Sequence, residues 1–214
     1  MKRRDLVRNT ILSVAALSVG GKLQAAEQCQ LTAEQTEGPF YPERGQDDTN
    51  TDLTQVEGRR QKAKGKVVIL NGVVRDEKCR LVGGALVEIW QAASTGKYNH
   101  SRDPNPAPLD PNFQYWGRAI TNKKGEFSFK TIKPGAYPAT STWVRPPHIH
   151  VKVHLRGYEE LTTQLYFKDE VELNERDRIL KSLTQTERDN VIVDFKLKNN
   201  KPPEGDCTLF IKGY

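Results

Sequence analysis

Between residues 66 and 168 the sequence is written in short apolar runs cut by turn residues, and this limits the fold more than any other feature. "KVVILNGVVRD", "GGALVEIWQA", "GRAITNKKGEFSFKTI", "RPPHIHVKVHL" and "LTTQLYF" are rich in Val, Ile, Phe and Tyr and are bounded by Gly, Pro, Asn or Asp. Such runs read as β-strands. No helical period alternates with them, which argues against alternating βαβ units. The expected fold is an all-β sandwich of mixed and antiparallel strands with long loops. "NKKG" is expected to close a hairpin between "GRAIT" and "EFSFKTI". One segment, "VELNERDRILKSLTQTERDNVI" (171–192), carries helix formers and a short apolar stripe of Ile179, Leu180 and Leu183; it predicts one or two helical turns before a return to strand at "VIVDFKL". "DCTLFIKGY" reads as a last strand.

The first 26 residues differ from the rest. Basic "MKRRDLVRNT", apolar "ILSVAALSVG" and small, polar "GKLQAA" follow the order of an export signal. The ten-residue apolar run is far shorter than the ~20 residues that span a bilayer. Arg3-Arg4 gives it a twin-arginine character. The expected organisation is therefore a signal over 1–26, a turn-rich segment over 27–60 and a core over 61–214, in a protein exported to the periplasm or beyond the cell. Lys2, Arg3, Arg4, Arg8 and Lys22 against Asp5 give residues 1–25 a net +4, so the formal +6 falls to about +2 after cleavage. With no clustered basic face elsewhere, nucleic acid is not an expected partner, nor is a membrane once the signal is gone. Cys29, Cys79 and Cys207 lack CxxC spacing, which argues against a thiolate metal site. In an oxidising compartment two of them would pair, and the spacing leaves all three pairings open.

Chemistry concentrates in "RPPHIHVKVHLRG" (145–157), which holds three of the four histidines. On a regular strand His148, His150, Lys152 and His154 share a face. Two histidines two apart can reach one metal ion, whereas Lys152 marks the far end as a solvent face. No H-x-D or CxxC lies nearby to complete a site. Tyrosine does: Tyr98 in "GKYNH" and Tyr137 in "KPGAYP". A tyrosinate is a hard, anionic oxygen ligand that needs a strong Lewis acid to ionise near neutral pH. Between Tyr98 and Trp116 four prolines and two Asp-Pro steps forbid regular structure, and a long ordered loop in a compact domain is more often functional than idle.

Taken together, "TEGPFY", "GGALVEIWQA…GKYNH", "APLDPNFQYWGRAITNKKGEFSFKTIKPGAYP", "RPPHIHVKV" and "TTQLYF" resemble the intradiol ring-cleavage dioxygenases, most closely the protocatechuate 3,4-dioxygenase branch. The resemblance runs from about residue 30 to 168. It implies a non-haem Fe(III) site built by Tyr98, Tyr137, His148 and His150. It implies that Tyr137 takes a substrate proton and that Arg145 stabilises negative charge developing on the ring. Gly38, Pro39, Gln164 and Arg145 fall on positions that contact substrate, while His100 and His154 have no family role. The implied reaction inserts both atoms of O2 between the two hydroxyl-bearing carbons of a catechol, giving a cis,cis-muconate-type diacid.

Two departures qualify the resemblance. Ala139 follows "GAYP" where the protocatechuate branch tends to carry an aromatic, so the ring substituents stay open. About a dozen residues separate the signal from the Gly-Pro motif, too few for the helical dimerisation region of catechol 1,2-dioxygenases; a self-sufficient subunit, as a homodimer, is the simpler expectation. Two alternatives stand beside the ferric enzyme. One is a non-catalytic, transthyretin-like β-sandwich binding module; the other is an Fe(II) site of two histidines and a carboxylate.

Overall fold

A computed structural model describes residues 29–43, 48–197 and 201–214. The expected export signal at 1–26 lies outside the described residues. Among the described residues, ten strands form two facing sheets and a small ribbon. The three-stranded sheet has the order β10-β1-β4, from Glu204–Ile211, Val67–Asp76 and Glu126–Ile132. The five-stranded sheet has the order β3-β2-β7-β8-β9, from Trp116–Ile120, Leu86–Trp90, His148–His154, Leu161–Phe167 and Ile192–Val193. β5 (Tyr137–Thr140) and β6 (Trp143–Arg145) pair only with each other. Most pairings are antiparallel; β1 with β10 and β8 with β9 are parallel.

Alternation explains the core. β1 buries every second residue, so Val68, Leu70 and Val74 face inward beside Phe127 and Phe129 of β4 and Leu209 of β10. Across the gap stand Val87 and Ile89 of β2, Ile149, Val151 and Val153 of β7, and Leu161 and Leu165 of β8. This period-two burial is what packs two sheets face to face.

Three expectations need correction. The "NKKG" turn is tight, with Gly125 N–H donating to Asn122 O at 2.9 Å. It nonetheless joins β3 of one sheet to β4 of the other, so it is a corner of the sandwich and not a hairpin. Gly125 has φ 73°, and a Cβ there would lie 2.5 Å from Val74 O. The segment 171–192 holds three short helices instead of one or two turns: α1 (Val171–Arg176), α2 (Arg178–Lys181) and α3 (Gln185–Val191). Asp177 and Thr184 cap α2 and α3 and break the run into pieces. The return to strand in "VIVDFKL" shrinks to the two residues of β9.

The cysteines resolve as a Cys29–Cys79 disulfide with Cα atoms 5.3 Å apart, and Cys207 is free and buried. The bond ties the N-terminal segment to the turn after β1. From there residues 29–43 run without regular structure across the outer face of the five-stranded sheet.

Candidate metal centre

The site grows from register. Trp116, Trp90, His150 and Gln164 stand in one row across β3, β2, β7 and β8, and Arg118, Glu88, Lys152 and Thr162 form the next. His148 lies opposite Tyr166. These residues alternate with the core positions, so they point away from the core, yet His148, His150, Gln164 and Tyr166 are all buried.

What covers them is the N-terminal segment. Gln35 N–H donates to Thr162 O at 2.9 Å, and its Nε2 donates to Thr163 Oγ1 at 2.9 Å. Gln164 Nε2 donates to Thr36 O, and Tyr166 Oη to Gln35 Oε1, both at 2.9 Å. Lys152 Nζ pairs with Glu37 at 2.6 Å and lies 4.4 Å from the centre of the Tyr41 ring. Tyr41 Oη donates to buried Glu88 at 3.2 Å. Lys152 therefore differs from the expected solvent face: it is half-buried and pins the segment. His154, with its side chain 60% exposed, is the surface residue the sequence suggested.

Tyr98 comes from the proline-rich loop. Asp103 fixes it, accepting the Tyr98 N–H at 2.6 Å on Oδ2 and the Asn105 N–H at 2.9 Å on Oδ1. Tyr137 opens β5, directly across from Arg145 on β6. The Tyr98 and Tyr137 rings meet edge to face at 5.5 Å, and Phe40 packs 4.9 Å from Tyr98. Tyr98 Oη lies 3.3 Å from His148 Nε2, and the two imidazoles are 4.9 Å apart. Four nitrogen and oxygen donors from a strand, a ribbon and a loop thus converge in one buried place.

The electrostatics suit a metal. Burial, then the Arg145 charge, pushes His148 well below its ordinary pKa and His150 down to about 3. Both rings are held neutral, as ligation requires. His148 Nδ1 donates to Pro146 O at 2.7 Å, which leaves the lone pair on Nε2 facing Tyr98. His150 is oriented differently: its ring stacks on Trp90 at 4.8 Å and 8°, and its buried Nδ1 has no hydrogen-bond partner among the described residues. Burial raises the Tyr98 phenol well above its ordinary value, and it raises Tyr137 although Arg145 opposes it. Only a strong cation would ionise two such phenols. Among the described residues, no group of three or more His, Cys, Asp or Glu side chains forms a metal site. The alternative of two histidines and a carboxylate therefore finds no donor set among the described residues, whereas two imidazoles and two phenols fit a hard trivalent ion.

Arg145 is buried beside this set. Its Nε donates to Asp177 Oδ2 at 2.8 Å, and its Nη2 to Gln164 Oε1 at 2.7 Å and Tyr166 Oη at 3.3 Å. Desolvation opposes the charge, but Tyr166, Asp177 and Tyr137 more than offset it, so Arg145 stays protonated. Gln164 spends both ends of its amide, on Arg145 and on Thr36. Gly38 has φ 73°, and a Cβ there would sit 3.4 Å from His150 Cε1, so glycine lets the chain pass close to that ring. Pro39 O accepts from Arg102 Nη2 at 3.3 Å. His100 stays in its loop, buried beside Phe40 and Glu43.

Sequence reasoning missed Gln35, Tyr41, Trp90, Tyr166 and Asp177. Strand pairing would have found Trp90 and Tyr166, since each faces a candidate histidine across the ladder. No local signal marks Asp177.

A family of sequences described as Dioxygenase (Dioxygenase_C) matches residues 36–210. The protocatechuate 3,4-dioxygenase beta chain of Burkholderia cepacia is 39% identical over 150 residues, 68% of this chain and 63% of that protein. The chlorocatechol 1,2-dioxygenase of Pseudomonas putida is 31% identical over 117 residues, 48% of this chain and 43% of that one. The chain thus spans less than two thirds of the length of these relatives. The dioxygenase domain of a dioxygenase–carbohydrate-binding protein fusion from Streptomyces sp. SirexAA-E has the same fold, with a TM-score of 0.64 and 26% identity over 86% of this chain and 100% of that one. With the match covering the strands, the proline-rich loop and the covering segment from Thr36 on, the chain belongs to the intradiol ring-cleavage dioxygenase family.

Proposed function

We propose that the protein is a ferric intradiol dioxygenase acting on a catechol-type aromatic diol with O2. The observation that carries this reading is the convergence of Tyr98, Tyr137, His148 and His150, with Tyr98 Oη 3.3 Å from His148 Nε2 and, among the described residues, no carboxylate donor completing the set. When bound, ferric iron supplies Lewis acidity, which keeps the phenolates ionised and draws electron density from a chelated catechol. Tyr98 and Tyr137 provide two anionic oxygens, and His148 and His150 two neutral nitrogens. Tyr137 accepts one catechol proton. Arg145 cannot serve as a base; it donates toward the negative charge that builds on the ring. Gly38 and Pro39 wall the site from the N-terminal side and limit water, while Gln164 supports both that wall and Arg145. Both oxygen atoms enter between the hydroxyl-bearing carbons, and a cis,cis-muconate-type diacid leaves.

Protocatechuate or a related catechol is the substrate we favour, on the resemblance to the beta chain. All four candidate ligands come from one chain, which supports a self-sufficient subunit, as in a homodimer. The 1–26 segment and the Cys29–Cys79 bond support export to an oxidising compartment. Oxygen uptake measured with catechol, protocatechuate, hydroxyquinol and chlorinated catechols tests the reading. Uptake with at least one, with ring-opened diacid formed mole for mole, is expected. An iron-loaded protein that consumes O2 with none of them contradicts it.

A further inference from the structure

We propose that Asp177, on the helical segment after β8, is the positioning residue for Arg145, which makes that segment part of the site. The proposal rests on the reading above. Asp177 is fully buried. A buried carboxylate is costly unless it is paired and hydrogen-bonded. Its Oδ1 accepts the Leu180 N–H at 2.8 Å as the N-cap of α2, and its Oδ2 accepts Arg145 Nε at 2.8 Å. Capping a four-residue helix does not call for a charge, because Ser or Asn caps about as well as Asp. The charge is accounted for by Arg145.

Arg145 needs such an anchor. β6 has three residues and pairs only with β5, and an isolated two-stranded ribbon is marginal by itself. Three acceptors hold the guanidinium: Asp177, Gln164 and Tyr166. Asp177 is the charged one. It also belongs to a different layer from the other two, which stand side by side on β8. Together they occupy Nε and Nη2. With Asp177 holding Nε and the β8 pair holding Nη2, the plane of the guanidinium is set. Because Tyr137 is the cross-strand partner of Arg145, the same tether sets guanidinium and candidate ligand relative to each other.

Two variants separate tether from cap. In Asp177→Asn the oxygen continues to cap α2 and the amide N–H then faces Arg145 Nε–H, donor against donor. Asp177→Ser caps but does not reach Arg145. In both, kcat is expected to fall about 10–100-fold, the usual scale for groups that orient a metal site from behind, with KM for the catechol moving far less. In an Arg145→Gln background, Asp177→Asn is expected to cost less than about twofold more, because residues that act as a unit are non-additive. A second readout needs no turnover: in metal-free protein, phenylglyoxal modification of Arg145, followed by peptide mass, is expected to speed up in both variants. Full multiplication of the two losses, or an unchanged modification rate, overturns the proposal. If the parent protein turns over no catechol, the functional reading fails, and the modification rate still reports on the Asp177–Arg145 tether.

Discussion

On the inner face of the five-stranded sheet, Val87, Ile89, Ile149, Val151 and Val153 meet the opposite sheet in an aliphatic and aromatic cluster. On its outer face, Glu88, Trp90, His148, His150, Lys152, Gln164 and Tyr166 meet a segment with no regular structure. Both faces exclude water, by different means. Inside, burial is offset by the hydrophobic effect and needs only volume and alternation. Outside, polar groups are buried, so each needs a partner, and most find one through Gln35, Thr36, Glu37 and Tyr41. The inner face holds the fold; the outer face is a preorganised polar cluster laid on that support. β7 carries both, residue by residue.

This division can be broken at chosen points. The largest effect is expected at the outer face: Tyr98→Phe or Tyr137→Phe should drop oxygen uptake with the best catechol below detection while circular dichroism and the unfolding midpoint barely change. Next comes Ile149→Ala, between the two histidines. It should cost about 2–5 kcal/mol in chemical denaturation, because Ile149 is fully buried in the core. The folded fraction should still bind iron; loss of iron without loss of stability would mean that the two faces are not separable. Gly38→Ala is a smaller perturbation. A left-handed alanine costs about 1–2 kcal/mol, and its methyl group would lie 3.4 Å from His150 Cε1, so KM should rise along with a modest loss of stability. Glu37→Gln should do least to the fold, about 0.2–1 kcal/mol, since Glu37 is partly exposed. Faster proteolysis within 29–43 would show that this ion pair pins the cover.

How much was legible follows the same division. The strands and inner face could be read, because alternating Val, Ile and Phe declare period two by themselves. His148 and His150 were visible as spacing on one strand, but Tyr98 and Tyr137 sit 50 and 11 residues before His148, in a loop and a ribbon, and only the family resemblance joined them. Trp90 needed the strand register to be placed, and Gln35 and Asp177 were illegible because their partners are set by the path of irregular chain. The "NKKG" turn misled for a related reason: a tight turn looks the same whether it returns within a sheet or crosses to the next. Lys152 misled because a charge on a strand reads as solvent-facing until the segment that covers it is placed.

On the function we propose, one buried place on the outer face holds ferric iron through two tyrosinates and two histidines. Visible absorption of the iron-loaded protein, measured beside its metal content, tests this most directly. One iron per chain with the red charge-transfer colour of an iron–tyrosinate complex, altered in Tyr98→Phe and in Tyr137→Phe alike, is the predicted result. A colourless iron-loaded protein, or one whose absorption and iron content stay at the parent's values in either variant, would contradict it.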